Sequence, residues 1–502
     1  MERTQFTPAQ SVAYLWHALN LPSQALESLN LVDEDDYHYS PQEQQQQQQQ
    51  QQSSFKIAHL AQSCIALAAL AAATVYYSTS SVVTPDNVKK IPRVTVSRRH
   101  ALAEFSSERV YTLNNSLPES SWGRIGGLYQ TAGKNAYVRI HDAFVKHENA
   151  ALALLRIPQT NTPSREDVAR EVARWDAIEL ETEGIRHGAV IAALRSYQQW
   201  DCHPQARAIA DLPILVRKVS SIAETRWKHH RLRQAPRDRC LRGLRVLELS
   251  RVIAAPVAGR TLAAHGADVL WVTTARLADQ PALDRDLARG KRSVRLDFKE
   301  SEEDRAALIA LIRDADVLIQ SYRPGSLDAY GLGVEDVARI NPGIVHASLS
   351  AYGSTGPWAK WRGFDSLVQT CSGMNVSEAE LAGAEFESPA RALPCQALDH
   401  ASGYFLATGI MAAVYHQLID SSAAAYEVQV SLAGTMKWLR LLGQYPSPVS
   451  CASSLDDDLF ESRISAFGEL RAVRHAAQVD GAMPGFDFMP RPPGSDEPRW
   501  LA

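Results

Sequence analysis

The stretch LRGLRVLELSRVIAAPVAGRTLAAHGADVLWVT, residues 241–273, decides the fold class. Residues 244–249 form an apolar run typical of a buried strand, and residues 268–273 form another. Between them, residues 256–265 have the composition of a helix, which the glycine at 266 ends. One strand, one helix and a second strand in this order indicate a parallel βαβ unit.

The same alternation continues toward the C-terminus. Further helices are predicted at 302–313 and 335–340, and further strands at 316–320 and 344–349. Repeated βαβ units predict an α/β protein built on a doubly wound, Rossmann-like parallel sheet.

Length and composition limit the classes of protein that the chain can represent. Its 502 residues suggest two or three domains, and 45% apolar with 22% charged residues is typical of a globular protein. A net charge of −4 gives no electrostatic reason to expect nucleic acid as a partner. The six scattered cysteines predict neither a disulfide framework nor a zinc site, and they fit a reducing compartment such as the cytoplasm.

Two segments of the N-terminal region have an unusual composition: a polyglutamine run and a long Ala-rich stretch. The polyglutamine run 44–52 predicts a disordered linker, so residues 1–55 are expected to be partly disordered. Residues 57–77 are long enough to span a membrane, but alanine dominates them and polar residues interrupt their first half. We therefore expect a buried helix and no membrane contact. The N-terminus shows no pattern of a secretory signal.

A faint internal repeat relates the two ends of the chain. The Ala-rich helix 57–77 and the segment VTVSRRHALAEF at 94–105 resemble helix 401–418 and the segment VQVSLAGTMKWL at 428–439. In both cases an Ala-rich helix leads to a V-x-V-S strand and a further helix. Chance similarity and a degenerate duplication are both compatible with this pattern.

Several turns after predicted strands carry residues suited to binding an anion. Arg251 begins a turn of small residues before a helix, where free N–H groups can bind anions. Lys291 and Arg292 are adjacent cations that could meet phosphates, although by themselves they are more typical of a solvated basic loop. The turns 321–333 and 350–365 follow strands and are expected at the same edge of the sheet.

Asp399 stands at the beginning of a second Ala-rich helix. An aspartate there is usually an N-cap, which explains its presence without any catalytic role. A carboxylate at a helix N-terminus is also expected to stay ionised, because the helix dipole favours negative charge, and an ionised carboxylate is a competent nucleophile.

Five ordered motifs together resemble the class III CoA-transferases, also called the CaiB/BaiF family. They are L-x-G-x-x-V-L-E-L-x-R-V-x-A-x-P at 241–256, G-K-R-S-V-x-L-D at 290–297, A-D-V-L-I-Q-x-Y-R-P-G-x-L at 315–327, G-F-D-S-L-V-Q at 363–369 and L-D-H-A-S-G at 398–403. The resemblance covers about 242–440.

This resemblance implies an acyl-CoA:carboxylate CoA-transferase with Asp399 as the nucleophile, forming an aspartyl-acyl anhydride and then an aspartyl-CoA thioester. Coenzyme A enters as the acyl-CoA substrate, a carboxylic acid is the acceptor, and no metal is required. The residues that the resemblance implies in CoA binding are Arg251, Ile253, Lys291, Arg292, Tyr322, Arg323, Arg362 and Asp365.

The chain also departs from the family pattern. Ile253 stands where members often carry Gln or Leu, and Thr274 replaces a basic residue found in some members. The family's small domain is missing after the catalytic helix, whereas residues 126–220 resemble it ahead of the sheet.

We therefore expect four regions. They are an N-terminal segment at 1–55, a degenerate half at 56–235 that includes a small α/β domain at about 120–225, a catalytic domain at 240–445 and a C-terminal tail at 446–502. One active site is expected, because the N-terminal helix begins with His59 and Leu60 instead of an aspartate.

Other activities of the same fold remain open. The α-methylacyl-CoA racemases of this fold carry G-H-D where this chain has Gly363, Phe364 and Asp365, and phenylalanine is not a base. A CoA lyase or hydrolase and an inactive pseudo-enzyme are further alternatives. Because family members form interlocked dimers, the resemblance also implies a homodimer.

Overall fold

A computed structural model describes residues 3–33, 52–79, 90–158, 162–221, 230–383, 388–420, 424–451 and 456–501. The expected disorder of the polyglutamine run concerns residues that lie, apart from Gln52, outside this described part of the chain.

The helices are Pro8–Ala18 (α1), Ile57–Thr79 (α2), Arg98–Glu104 (α3), Ser107–Val110 (α4), Val145–Leu154 (α5), Arg165–Val172 (α6), Ala177–His187 (α7), Tyr197–Asp201 (α8), Pro204–Ala208 (α9), His230–Gln234 (α10), Ala254–Ala264 (α11), Pro281–Leu287 (α12), Glu302–Asp314 (α13), Val334–Ile340 (α14), Asp365–Cys371 (α15), Met374–Leu381 (α16), Ala397–Ile419 (α17) and Leu432–Leu441 (α18).

The strands are Leu29–Val32 (β1), Gln52–Phe55 (β2), Val94–Ser97 (β3), Thr112–Leu113 (β4), Gly127–Gln130 (β5), Tyr137–Ile140 (β6), Ile191–Ala193 (β7), Ile214–Ser221 (β8), Arg245–Leu249 (β9), Asp268–Thr273 (β10), Arg292–Arg295 (β11), Val317–Gln320 (β12), Val345–Ser350 (β13), Ala424–Ser431 (β14), Gln444–Ser450 (β15), Phe460–Ser465 (β16), Gly468–Val473 (β17) and Ala477–Val479 (β18).

The central element is a seven-stranded sheet in the order β11–β10–β9–β12–β13–β14–β8. All neighbouring strands are parallel except β14 and β8, which are antiparallel. One face of the sheet packs against α11 and α17, and the other packs against α13 and α14. The predicted doubly wound α/β sheet is therefore confirmed. No sequence pattern predicted that β8 would join it.

A second, smaller α/β unit precedes the sheet in sequence. Strands β5, β6 and β7 form an antiparallel sheet that packs on α5, α6 and α7 around its own apolar core. We call this unit the small domain. It confirms the predicted second domain of the fold.

The N-terminal and C-terminal regions complete each other. The long helix α2 connects the parallel strands β1 and β3, and the late strands β15, β17 and β18 pair with β2, β4 and β3. Both ends of the chain therefore build one structure around the central sheet.

Helix α2 contains the apolar segment 57–77, which is long enough to span a membrane. It is long and apolar enough to cross a bilayer, but 94% of its most apolar window is buried inside the protein. It packs along α17 in the main hydrophobic core. The helix is thus a core helix, as its polar interruptions predicted.

Candidate active site

The loop between β9 and α11 contains a strained residue. Val252 has φ +71°, a left-handed conformation that β-branched residues rarely adopt. Such strain persists only where the surrounding structure enforces it, and it is concentrated at functional sites. The neighbouring Ile253 is almost completely buried and gives the helix no side-chain cap. Its predicted contact with CoA is therefore not supported by its side chain.

Asp399 is the third residue of α17, so it lies inside the first turn and is not the N-cap. Asp365, the first residue of α15, performs the capping instead. Its Oδ2 accepts hydrogen bonds from the main-chain N–H groups of Leu398 (2.9 Å) and Asp399 (3.0 Å). Gln369 donates to its other oxygen. Asp365 is thus a buried residue that positions the start of α17, and its contact with CoA stays a prediction.

The two aspartates form a coupled acidic pair. Burial raises the pKa of Asp399 well above its usual range, and the nearby carboxylates of Asp365 and Glu108 raise it further. Burial also raises the pKa of Asp365, to about 6, while its three N–H donors act in the opposite direction. Asp365 is therefore the member of the pair that ionises more readily. Burial and the neighbouring carboxylates oppose the expected ionisation of Asp399, whereas the helix dipole favours it.

A third carboxylate reaches this cluster from the N-terminal half. Glu108 of α4 lies 2.9 Å from His400, measured from Oε2 to Nε2, and both side chains are buried. The other Glu108 oxygen and His400 Nδ1 have no hydrogen-bond partner among the described residues. Asp399 keeps 7% of its surface exposed, whereas Asp365 and His400 keep none. Asp399 is therefore the member of this cluster best able to meet a substrate.

The small domain forms a wall beside this cluster. The His141 ring stacks on Phe364 with 4.0 Å between ring centres, and Phe144 lies 6.1 Å from the same ring. Phe144 also carries the guanidinium of Arg251 at 4.6 Å from its ring centre. A continuous layer of rings thus connects Arg251 to the segment that holds Asp399.

Three arginines near this wall have no carboxylate partner among the described residues: Arg251, Arg323 and Arg362. Burial lowers the pKa of Arg362, and the charge of Arg323 lowers it further. The two guanidinium groups therefore lie close together. Arg362 and Arg251 both help burial to lower the pKa of His147 to about 4. We call these three residues the arginine cluster. Unpaired guanidinium groups gathered in this way are suited to bind phosphates.

The other two predicted cations have different roles. Lys291 lies buried, with its Nζ 2.8 Å from Glu248 and 2.9 Å from the carbonyl oxygen of Pro256. Arg292 pairs with Asp268 and donates to the carbonyl oxygen of Arg499. Both side chains stabilise the fold, and their predicted contacts with CoA phosphates are not supported.

Two cavities lie along the carboxyl edge of the sheet, and the half-buried Tyr322 lines both. The cavity beside Arg251 and Val252 holds only about 20 Å³, which is room for about one water molecule. The cleft beside Arg323 holds about 680 Å³. Asp399 lines neither of these two cavities.

The structure also reveals residues that the sequence did not single out: Val252, Glu108 and His141. His141 follows β6 directly, so its place at a strand end was a usable signal. No sequence signal pointed to Glu108, because its partner His400 lies 292 positions later in the chain. Among the described residues, no group of three or more His, Cys, Asp or Glu side chains is arranged to hold a metal ion.

Residues 241–447 match the model of CoA-transferase family III. An acetyl-coenzyme A transferase of Hypoxylon pulicicidum is 29% identical over 302 residues, which cover 58% of this chain and 49% of that protein. A succinate–glutarate CoA-transferase of Agrobacterium fabrum is 34% identical over 196 residues, which cover 36% of this chain and 48% of that protein.

An acetyl-CoA:oxalate CoA-transferase of Acetobacter aceti is 31% identical over 209 residues, covering 39% and 52% of the two chains. The crystal structure of a CaiB/BaiF family protein from Brucella suis is 27% identical, with a TM-score of 0.36 over 47% of this chain and 65% of that one. The chain spans about half the length of the curated relatives that it matches. The segment 241–447, which contains Asp399 and the arginine cluster, is therefore the part of the chain that is similar to CoA-transferase family III.

Proposed function

We propose that this protein is an acyl-CoA:carboxylate CoA-transferase in which Asp399 is the nucleophile. The observation that carries the proposal is the position of Asp399 in the first turn of α17. There its main-chain N–H is held by Asp365, and its side chain is the least buried member of the acidic cluster. The match of this segment to CoA-transferase family III supports the same chemistry.

The reaction requires no group beyond the carboxylate and the substrates. Ionised Asp399 attacks the thioester carbonyl of the donor, the C–S bond breaks, and CoA leaves as the thiolate from a mixed anhydride. The thiolate then attacks the aspartyl carbonyl, which frees the donor acid and leaves an aspartyl-CoA thioester.

The acceptor carboxylate attacks this thioester and again releases the CoA thiolate. The thiolate finally attacks the acceptor carbonyl, forms the new acyl-CoA and regenerates Asp399. Each step exchanges one activated acyl bond for another, so the sequence needs no external energy source.

The raised pKa of Asp399 in the unliganded protein is compatible with this role. The carboxyl group must lose its proton before the first attack, because only the carboxylate is a competent nucleophile. Any movement that exposes Asp399 to water is expected to favour its ionisation, because the carboxylate would regain hydration.

The arginine cluster is the proposed binding site for the phosphate groups of CoA. Arg251, Arg323 and Arg362 form no ion pair with a carboxylate of the described residues. Tyr322 lines both the cavity beside Arg251 and the cleft beside Arg323, and it is suited to contact the ligand between its phosphates and its thioester. Lys291 and Arg292 are left out of this site because both are paired inside the protein.

Acyl transfer to Asp399 is tested by mass spectrometry. Acetyl-CoA, succinyl-CoA and formyl-CoA are screened against oxalate, succinate, glutarate and malate, since related enzymes are named for such substrates. Hydroxylamine is expected to trap activated Asp399 as a hydroxamate that adds about 15 Da, and Asp399→Asn is the control. Transfer with no modification of Asp399, or turnover by the Asn variant, would contradict the proposal.

Racemisation is the second candidate, and His141 gives a reason to consider it. This imidazole stacks on Phe364, the residue that replaces the histidine of the racemase motif. Burial, however, lowers the pKa of His141 to about 3, so it is a poor base at neutral pH. Exchange of the α-proton of 2-methylacyl-CoA in deuterium oxide would favour racemisation over transfer.

The same screen addresses the remaining alternatives. Release of free acid without an acceptor would indicate a hydrolase, and binding of CoA without any turnover would indicate a pseudo-enzyme. Cytoplasmic location and the predicted homodimer remain proposals. Light scattering on the purified chain tests the dimer.

A further inference from the structure

His141 is a residue of the small domain that contacts the segment holding Asp399 in place. Its ring lies parallel to Phe364, with 12° between the planes, and its Nδ1 is 3.3 Å from the hydroxyl oxygen of Ser366. Phe364 and Ser366 flank Asp365, whose carboxylate binds the main-chain N–H of Asp399. His141 and Asp399 are therefore connected through one short segment.

The opposite nitrogen of this ring is left without a partner. His141 is 5% exposed, and its Nε2 is buried with no hydrogen bond to any described residue. A buried polar atom without a partner destabilises the folded state, because it loses its hydrogen bonds to water and gains none in the protein. The stacking on Phe364 and the contact with Ser366 fix the ring, so the unused nitrogen has a defined direction.

The surroundings keep this imidazole neutral. Burial lowers its pKa to about 3, and the neighbouring charges of His147 and Arg139 act in the same direction. A neutral imidazole has one N–H. If the Ser366 hydroxyl donates to Nδ1, the proton resides on Nε2, the nitrogen without a partner. A neutral imidazole that donates a hydrogen bond to a developing oxyanion is an established catalytic arrangement.

We propose that His141 is a catalytic residue whose Nε2–H donates a hydrogen bond to the thioester carbonyl oxygen when Asp399 attacks. This inference rests on the proposed transfer at Asp399. The attack places negative charge on the carbonyl oxygen, and His141 stabilises it while keeping its own proton. The C–S bond then breaks, the carbonyl re-forms, and the thiolate leaves with the electron pair. The small domain thus supplies a part of the active site that the matched segment lacks.

Two substitutions separate the hydrogen bond from the packing. His141→Phe keeps a ring against Phe364 and removes the donor, whereas His141→Gln keeps an N–H donor at similar reach. We expect His141→Phe to lower kcat about 100-fold, the usual cost of one oxyanion donor, with KM changed little. His141→Gln should recover at least tenfold of that loss. His187→Phe, exposed at the end of α7, is the matched control and should behave as the wild type.

A second readout does not depend on turnover. In the Asp399→Asn background, the carbonyl stretch of bound acetyl-CoA or succinyl-CoA labelled with carbon-13 is measured by isotope-edited infrared difference spectroscopy. The stretch should move to lower frequency when bound, and adding His141→Phe should reverse the shift. Turnover by Asp399→Asn would refute the nucleophile and leave this measurement valid for His141.

Three results would overturn the inference. The first is an equal loss of kcat in the Phe and Gln variants, which would indicate a packing role. The second is a carbonyl stretch that His141→Phe does not change for either donor. The third is a loss of α-proton exchange in His141→Phe, which would make His141 a base.

Discussion

The two long Ala-rich helices of this protein, α2 and α17, have the same length and surroundings of the same kind. Each has 23 residues, lies in the main core and is followed by a V-x-V-S strand whose serine caps the next helix. The last four residues of β3 and β14 alternate between buried and partly buried in the same order. This likeness supports the proposed duplication.

The third residue of each helix shows how the two differ. In α17 it is Asp399, which faces two further carboxylates and no described cation partner. In α2 it is His59, whose Nε2 lies 2.7 Å from the hydroxyl oxygen of Ser11. His59 is satisfied by one neutral partner, whereas Asp399 is held in an electrostatically unfavourable state. Of the two arrangements, only the one around Asp399, which is electrostatically unfavourable, is typical of a reactive site.

The seventh residue of each helix differs as well. A Cβ atom on Gly403 of α17 would lie 2.5 Å from the carbonyl oxygen of Ala254, so this position requires glycine. The corresponding Ser63 of α2 carries a side chain and donates to the carbonyl oxygen of Leu60. Helix α17 therefore packs against the first turn of α11 with no room for a side chain at Gly403. The comparison teaches that a helix pattern alone does not make a site; the segments packed against it do.

The sharpest test of this comparison substitutes the third residue of each helix. Asp399→Asn is expected to lower kcat by a factor of about 1,000 or more, because the nucleophile is lost. His59→Gln should change kcat less than threefold, since His59 only packs against Ser11. Equal loss of acyl transfer in both variants, measured with the best substrate pair of the screen, would remove the distinction between the helices.

Substituting the seventh residue tests packing. Gly403→Ala should destabilise the protein by about 1–3 kcal/mol, because the new methyl group meets the main chain of α11. Ser63→Ala should cost less than about 1 kcal/mol, since it loses one hydrogen bond within its own helix. Urea unfolding of both variants measures the difference. A smaller loss in Gly403→Ala than in Ser63→Ala would show that the two helices are packed alike.

The charge of Asp365 tests the acidic pair. At low pH the nucleophile is protonated, so kcat/KM should rise with pH through the raised pKa of Asp399. Asp365→Asn removes a like charge but keeps an oxygen that can accept from α17, so this rise should move to lower pH. Asp314→Asn, on the surface at the end of α13, is the control. An unchanged pH profile of kcat/KM for Asp365→Asn would show that the charge of Asp365 does not affect the pKa of Asp399.

The smallest expected effect is on stability, and its dependence on pH has opposite signs for Asp399 of α17 and His59 of α2. The pKa of Asp399 is higher in the folded state, so its contribution is lost as pH rises through that pKa. The pKa of His59 falls to about 4 from 6.5, so its contribution is lost as pH falls through that window. Asp399→Asn should therefore stabilise the protein most at pH 8, and His59→Gln should do so most at pH 5.

Thermal unfolding at both pH values, with the wild type as reference, measures these changes. The same pH dependence in both variants would mean that neither side chain is held in the charge state described above.

Much of the catalytic domain could be predicted because its signals are local. Strand β10 occupies the predicted residues 268–273, and the bounds of α13 and α14 differ from prediction by one residue each. Apolar runs and helix periodicity depend on neighbouring residues alone. The edge strand β8 was missed because its partner β14 follows about two hundred positions later. No local pattern contains such a pairing.

The site divides in the same way. The roles of Asp399, Arg251, Tyr322, Arg323 and Arg362 follow from the family resemblance and remain predictions. The same resemblance assigned Lys291 to CoA binding, whereas in the structure its ammonium group pairs with Glu248. The sequence around Lys291 does not show this partner, which lies 43 positions earlier in the chain.

By itself, the sequence determined the α/β class, the order of the strands that carry the turns, and the position of Asp399 at the start of a helix. Only the tertiary structure decided that Asp365 caps this helix, that Glu108 joins the acidic cluster, and that His141 stands beside it. The physical reason is that protonation and hydrogen bonding depend on burial and on groups within a few ångströms, and these groups come from distant parts of the chain.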